Sequence, residues 1–552
     1  MLSRRAFSGG ALSLTLASQW SAKALAQPQV ELSGAVAAIR AYGEQHRAYF
    51  GLPGLTLGLT TPAGLVTVLD FGFANADSQR SIAPGTLFQI GSITKSMVAA
   101  LIHRFVAEGR FELGSRLSDL LPIIRLPSGN AITVQQVLDH TSGLADSPPM
   151  FVQGGLWTGF SPGAHWSYSN TGYAILGKLA EHVGGKPLDQ LLSENLFKPL
   201  GMTRTKGAIV FADRSKFAQG YEAADQSIPF ARGTSLAPAP WVDVTDAAGC
   251  VASTAEDMTL WLRALAGWVQ GRGAFGLSPD RAQAFTTHAV PSDTPGMTYG
   301  NGLMHVGNDG RKYLHHTGGM LSFSSSFHVD VASGAGAFAS STLSAFADYR
   351  PRLLTLFAVD ALTAAAAGRS VPRPPTLDLP IRNAPAYLGR YSGPNGTFEV
   401  RQGSPLLLLS GSESAELQSW GGDLFRTTHP VFRQFTLKFE RSHGVITGAS
   451  WGPTTYLRDG AGAGAAPLAS PALARLAGRY VNDNPWFGTM ILVERGGHLW
   501  VGTETPMTKI GENFWRVGEE SWSPERASFA NFIDGRPQTL IFSGQEFARH
   551  DI

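Results

Sequence analysis

Residues 86–105 read TLFQIGSITKSMVAALIHRF, a short strand-like run giving way to a helical one. Thr86 to Ile90 has β character, whereas Val98, Leu101, Ile102 and Phe105 recur at helical spacing. The step from i to i+3 places the Ser92 hydroxyl and the Lys95 amine on one face, one turn apart. A serine hydroxyl alone is a weak nucleophile, and a lysine amine kept neutral by its surroundings is a base that can activate it. Ser92-Ile93-Thr94-Lys95 is the only Ser-x-x-Lys in the chain.

Two further short motifs follow. Tyr168-Ser169-Asn170 precedes a second helical pattern (Tyr173, Leu176, Leu179, Ala180, Val183), and His316-Thr317-Gly318-Gly319 opens a run, Leu321 to Val329, that reads as a strand. Tyr-x-Asn also occurs at Tyr299 and at Tyr480. Only the copy at Tyr168 has a loop before it, a helix after it, and a place between the other two motifs. Asn170 is also a favoured helix-capping residue type, which gives it a purely structural reading.

The ordered trio resembles the family of class C β-lactamases, D-Ala-D-Ala carboxypeptidases, D-aminopeptidases and related esterases, whose motifs are Ser-x-x-Lys, Tyr-x-Asn and Lys/His-x-Gly. Residues 132–144 (ITVQQVLDHTSGL), 195–202 (NLFKPLGM) and 248–258 (AGCVASTAEDM) match that family's habits as well. The resemblance covers roughly Val36 to Ala366. It implies acyl transfer through an acyl-enzyme on Ser92, with Lys95 and Tyr168 sharing the proton traffic. It also implies an oxyanion hole made by the backbone N–H groups of Ser92 and Gly319. Asn170, Thr317 and Gly318 would contact substrate, and His316 would line the opposite wall, assisting proton transfer or anchoring a carboxylate. Which of Lys95 and Tyr168 is the base stays open. Class C β-lactamases carry lysine where this chain has His316, so small amides, D-configured peptides or short esters are the better expected substrates.

Other chemistry-bearing residues read as structural. His140 ends a helical pattern before Thr-Ser-Gly, a position for packing or capping. Cys250 is the only cysteine, so no intrachain disulfide forms, and its apolar neighbours suggest a buried filler. Residues 448–452 (GASWG) fit the G-x-S-x-G nucleophile elbow, but that elbow needs a helix after it. Pro453 to Leu457 is β-like instead. No His-x-x-x-His or Cys pair stands at metal-ligand spacing, and no cofactor is implied.

Lys and Arg number 44 against 42 Asp and Glu, a balance without electrostatic bias towards nucleic acid. Residues 1–26 read as a twin-arginine signal peptide. Ser3-Arg4-Arg5-Ala6-Phe7 is followed by a mildly apolar core and an Ala24-Leu25-Ala26 cleavage site. Cleavage after Ala26 would start the mature protein at Gln27 in the periplasm, with no membrane anchor. Homo-oligomer formation is compatible with the sequence.

Leu353 to Ala367 has helical spacing and should close the catalytic domain, residues 27–368. Residues 369–380 carry four prolines and read as a linker. Beyond it the sequence becomes short alternating runs that occur twice. Gly389-Arg390-Tyr391 returns as Gly478-Arg479-Tyr480, and Arg458 near the end of the first copy returns as Arg549. Residues 381–459 and 471–552 therefore read as two antiparallel β-barrels joined by a small-residue linker, 460–470.

The fold class expected is α+β, an α/β sandwich with a helical subdomain of β-lactamase/transpeptidase type, followed by two β-barrels. By the same resemblance, two lipocalin-like barrels after such a domain mark the D-aminopeptidase branch, in which a barrel loop shapes the active site. Asn482 to Phe487 is the candidate loop, although an ordinary surface turn explains it too. The expected function is a periplasmic serine hydrolase for a small amide, peptide or ester substrate. Carboxylesterase, D,D-carboxypeptidase and weak β-lactamase are the enzymatic alternatives. A non-catalytic ligand-binding or sensor protein is the alternative of another class.

Overall fold

The computed structural model describes residues 32–550 except 128–130, 274, 345, 346, 348, 378–380, 382 and 461–468. The expected signal peptide with its Gln27 start, part of the first linker and most of the second lie outside the described residues.

A nine-stranded antiparallel sheet organises the first domain. Across it lie Arg80–Ser81, Gly64–Asn75, Gly54–Thr61, Gly336–Ser341, Ser324–Asp330, Arg311–Gly319, Leu303–Asn308, Thr298–Gly300 and Val290–Pro291. The first two long strands and the later ones meet where Gly54–Thr61 pairs with Gly336–Ser341, so the two ends of the domain share one sheet. Helices Ser33–Phe50 and Arg352–Ala366 cover one face, where Leu55, Leu57 and Leu59 pack with Leu354 and Phe357. Helix Ala255–Val269 covers the other, where Phe327, Val329 and Phe338 pack with Trp261 and Leu262. Period-two alternation distributes Ser324–Asp330 between the two layers, and the whole strand is buried. Its serines are not orphaned there. Ser325 Oγ donates to the Ile90 carbonyl at 2.8 Å, and Ser326 Oγ meets Thr355 Oγ1 at 3.1 Å.

The helical subdomain is built on Thr94–Ala107 and Asn170–Gly184, which share the core with the short helix Val134–Leu138. That short helix starts with a capping box between Thr133 and Gln136. The 86–105 stretch forms only a two-residue strand, Phe88–Gln89, then a 3₁₀ turn, Gly91–Ile93, and then the helix. One expectation needs correcting. His316-Thr317-Gly318-Gly319 ends the strand Arg311–Gly319 instead of opening the next, and residues 320–323 form the hairpin turn before Ser324. The polar-apolar mixture before Tyr313 hid where that strand begins.

Each repeat closes into an eight-stranded antiparallel barrel. The repeated residues are its clasp. The Tyr391 hydroxyl donates to Tyr387 O and the Tyr480 hydroxyl to Leu476 O, at 2.8 and 2.7 Å. Arg458 donates to Leu388 O and Arg549 to Ala477 O, at 2.6 and 2.7 Å. Glycine precedes each clasp because the arginine lies where a side chain would go. A Cβ on Gly478 would sit 2.9 Å from the Arg549 guanidinium. The Gly-x-Ser-x-Gly stretch is barrel strand, with Ser450 Oγ donating to Glu440 at 2.9 Å, so it forms no nucleophile elbow.

The second barrel docks on the helical subdomain through residues 522–526. Trp522 stacks on His165 with ring centroids 4.5 Å apart, and Trp157 Nε1 donates to Pro524 O at 2.7 Å. Gly159 permits the approach, since a Cβ there would lie 2.4 Å from Trp522 O and 2.6 Å from the Pro524 backbone. Gly159→Ala is expected to lower stability by about 1–3 kcal/mol through this overpacking, measured by urea unfolding. A midpoint equal to that of the unmodified protein would refute the docking described.

Candidate active site

The turn that carries Ser92 is wedged against the end of a sheet strand. Gly91 has φ of +53°, and a Cβ on it would sit 2.7 Å from Gly319 N. A Cβ on Gly318 would lie 1.9 Å from Ile90 O. Backbone therefore meets backbone at van der Waals distance, which places the Ser92 turn beside Gly319. Gly318 was expected to bind substrate. It is buried under the turn instead and contributes no wall to the cavity, whereas Thr317 and Gly319 do.

Lys95 is fully buried. Its Nζ lies 3.0 Å from Ser92 Oγ, 2.7 Å from Asn170 Oδ1 and 2.9 Å from Ala248 O. Burial pulls the amine down to about 7, against the opposing pull of Asp146 and Asp246. The contacts then sort themselves. A neutral amine has two N–H groups and one lone pair, and both Asn170 Oδ1 and Ala248 O only accept. They take the two hydrogens, and the lone pair is left facing the Ser92 hydroxyl. The orientation of the Asn170 amide is pinned, since its Nδ2 donates to Asp146 Oδ1 at 3.0 Å. Ala248 is presented by a turn in which its N–H donates to Asp246 Oδ1 at 2.8 Å.

Asn170 is the first residue of the helix Asn170–Gly184, and the cap is Ser169, whose Oγ accepts from Gly172 N. The Asn170 side chain is thereby free of the capping role and serves Lys95. Tyr168 also lines the cavity, with Lys95 Nζ 4.8 Å from its ring centroid. Burial raises its phenol well above the ordinary value, and a hydrogen bond with Ser92 opposes this only in part. Between the two bases left open by the sequence, the electrostatics favour the amine, with the Tyr168 hydroxyl as a protonated partner able to pass a proton onward.

His316 lines the cavity. Its Nδ1 donates to Thr317 O at 2.6 Å, which leaves Nε2 to accept from the Tyr299 hydroxyl at 3.2 Å. Burial lowers it to about 3, so it is neutral and offers no charge to a substrate carboxylate. The anchoring role expected for it is not available. His140 is structural as read. Its Nδ1 accepts from Ser169 N at 3.1 Å, and its ring packs against Tyr168 with centroids 4.3 Å apart. Cys250 is fully buried.

The cavity above Ser92 has a volume of about 890 Å³, and the second barrel supplies part of its wall. Asn484, Trp486 and Phe487 reach it from the loop singled out in the sequence, and Glu525, Ser543 and Gln545 reach it from other turns of the same barrel. Glu525 was missed by sequence reasoning. Its Oε1 accepts from Asp146 N at 2.8 Å and its Oε2 from the Ser543 hydroxyl. Asp146 Oδ1 also accepts from Asn170 N at 3.0 Å. An unbroken polar chain thus runs Lys95, Asn170, Asp146, Glu525. Burial raises both carboxyl groups above their ordinary range. With the exposed Asp246, three carboxyl groups line the cavity, against a single arginine, Arg350. Among the described residues no group of three or more His, Cys, Asp and Glu side chains is placed to hold a metal.

Residues 22–358 match the family described as "Beta-lactamase". A beta-lactamase of Pseudomonas fluorescens is 29% identical over 182 residues, which make up 31% of this chain and 50% of that protein. The chain thus spans about half the length of that curated relative. Among solved structures, the octameric penicillin-binding protein homologue from Pyrococcus abyssi superposes with a TM-score of 0.56 at 22% identity, covering 77% of this chain and 98% of that one. D-amino acid amidase from Ochrobactrum anthropi SV3, complexed with D-phenylalanine, superposes with a TM-score of 0.51 at 23% identity, covering 61% and 99%. At these identities the structural likeness concerns the fold alone.

The state of Lys95 sets a pH dependence. Below about 7 the amine is an ammonium with no lone pair, and above it the lone pair is present. The rate at which a fluorophosphonate labels Ser92 should therefore rise with pH through about 7 and level off above it, followed by intact-mass analysis. Lys95→Met should abolish the labelling. A rate that stays flat between about pH 5 and about pH 9 would exclude Lys95 as the base.

Proposed function

The chain belongs to the beta-lactamase family, and on that premise we propose that it is a serine hydrolase cleaving small amides or peptides that carry a free ammonium group, in the manner of an aminopeptidase. The reaction begins with Lys95 taking the Ser92 proton as Ser92 Oγ attacks the carbonyl carbon. The backbone N–H groups of Ser92 and Gly319 receive the developing oxyanion. The proton passes to the leaving amine through Lys95 and Tyr168, and water then releases the acid from Ser92.

The observation that carries the substrate class is the charge of the cavity wall. Asp146, Asp246 and Glu525 face the space above the nucleophile against Arg350 alone, which leaves an acidic excess even with the Asp146 and Glu525 carboxyls raised by burial, and His316 brings no further positive charge. A low-dielectric cavity with that balance favours a cation and opposes an anion such as a β-lactam carboxylate. The barrel wall adds a second restriction, because Trp486 and Phe487 bound the cavity with apolar surface. The likeness of fold to a D-amino acid amidase agrees with an amide substrate. The twin-arginine pattern at Arg4 and Arg5 supports action in the periplasm, and replacing both arginines by lysine should leave the protein in the cytoplasmic fraction.

The test compares phenylalanine amide of either configuration with its N-acetyl derivative, a short acyl ester and a chromogenic cephalosporin. Loss of the ammonium group by acetylation is expected to cost at least about tenfold in kcat/KM, and Glu525→Gln should raise KM for the free amide. Ser92→Ala should reduce turnover by at least about a thousandfold. Equal rates on the free and acetylated amides, or a preference for the cephalosporin, would overturn the substrate assignment.

A further inference from the structure

A second cavity, of about 440 Å³, lies at the seam between the catalytic domain and the first barrel. The first helix contributes His46, Tyr49 and Phe50, the end of the sheet domain contributes Tyr349, Arg350 and Arg352, and the barrel contributes residues 403–406 and 418–420. Two features separate it from an ordinary packing gap.

The first is a pair of orphaned polar groups. The His46 side chain is 1% exposed, yet neither ring nitrogen has a hydrogen-bond partner among the described residues, and the same holds for the Tyr349 hydroxyl. Buried polar groups are nearly always satisfied, and leaving them unsatisfied costs free energy that a ligand would recover. Aromatic rings on either side fix His46. Its centroid lies 4.9 Å from that of Phe50 and 5.5 Å from those of Tyr42 and Tyr349. Burial lowers its imidazole to about 4, so it is neutral and presents one N–H donor and one acceptor.

The second is the charge. Arg232, Arg350 and Arg352 line this cavity, and among the described residues that line it none is a carboxylate. Arg232 is held in place, paired with Glu416 at 2.7 Å and lying 4.2 Å over the Tyr49 ring. Arg350 Nη1 donates to Tyr349 O at 2.7 Å. Arg352 stands exposed at the rim. Between these cations the walls are aromatic, including Phe230 and Trp420.

We propose that this seam is a binding site for a small organic carboxylate with an aromatic or branched apolar body. The carboxylate meets Arg352 at the rim beside Arg350, the apolar body lies among Tyr49, Phe50, Phe230 and Trp420, and His46 and Tyr349 gain partners. The charge of this cavity is opposite to that of the cavity above Ser92, so the two select different molecules. Arg350 lines both cavities, which puts an occupant of the seam in electrostatic contact with the nucleophile's cavity.

The experiment is calorimetric titration of the mature full-length protein with 3-phenylpropionate, before and after Ser92 is blocked with a fluorophosphonate. Should Ser92 resist labelling, Ser92→Trp, which fills the space above the nucleophile, takes the place of the blocked protein, so failure of the hydrolase reading leaves this test intact. Binding of one equivalent that survives the block is expected. Arg352→Ala, at an exposed position, should weaken it about five- to tenfold through loss of one charge-assisted contact. His46→Phe, which keeps an aromatic ring in the stack, should weaken it by a similar factor, and 3-phenylpropanamide should bind at least about tenfold more weakly than the acid. Absence of binding, binding lost on blocking Ser92, or binding indifferent to both substitutions would each overturn the proposal.

Discussion

Burying a lysine amine without a carboxylate in direct contact is the constraint on which the site depends. An ammonium in that position would lack water and lack an ion-pair partner within hydrogen-bond distance, so the surroundings press Lys95 towards its neutral form. Two acceptor oxygens, Asn170 Oδ1 and Ala248 O, then orient the lone pair. Each acceptor is itself fixed by an aspartate, Asp146 for Asn170 and Asp246 for the turn carrying Ala248. The aspartates raise the amine's proton affinity from a distance while burial lowers it, and the balance falls near neutrality. Moving either aspartate into contact with Nζ would hold the proton on the amine and remove the base.

The same chain of polar groups explains why the second barrel is more than an appendage. Asp146 is placed by its neighbours on both sides, with its backbone N–H given to Glu525 and its carboxyl accepting from Asn170. Glu525 is in turn held by Ser543. The Lys95 amine is therefore three hydrogen-bonded steps from a residue of another domain. The docking contacts around Trp522 and Gly159 make that reach reproducible, because a stacked indole and a glycine without room for a Cβ allow one seating of the barrel.

Much of this was legible in the sequence, for identifiable physical reasons. Ser92 and Lys95 are one helical turn apart, and local spacing is what a sequence records best. The two barrels announced themselves because their clasp, glycine, tyrosine and a late arginine, is a repeated local device with a fixed geometry. Asp146, Glu525 and Ser543 were not legible. The hydrogen bond from Asp146 to Glu525 joins positions 379 residues apart, and neither residue belongs to a motif. The Gly318 assignment failed for a related reason. A motif shows which residues occur together but not which way each one faces, and Gly318 is required by its contact with Ile90 O beneath the turn. Asn170 was ambiguous between capping and chemistry until Ser169 proved to be the cap. The loop 482–487 could be pointed to only as a candidate, and its place in the cavity wall follows from how the barrel is seated.

This division of labour has a consequence for how such a site diverges. Lys95 and Tyr168, whose pKa values depend on close burial, and Asn170, which orients the amine, are set by the helical subdomain. The wall that meets the rest of the substrate is drawn from hairpin loops of a separate barrel, where side chains change with little cost to the sheet that carries them. Glu525 spans the two roles. Its Oε1 is tied to Asp146, while its carboxyl charge contributes to the field of the cavity. A substitution that keeps the acceptor and removes the charge therefore separates substrate preference from the readiness of Ser92, and a barrel is an effective carrier for that separation because its closed sheet holds the loop while leaving its side chains open to change.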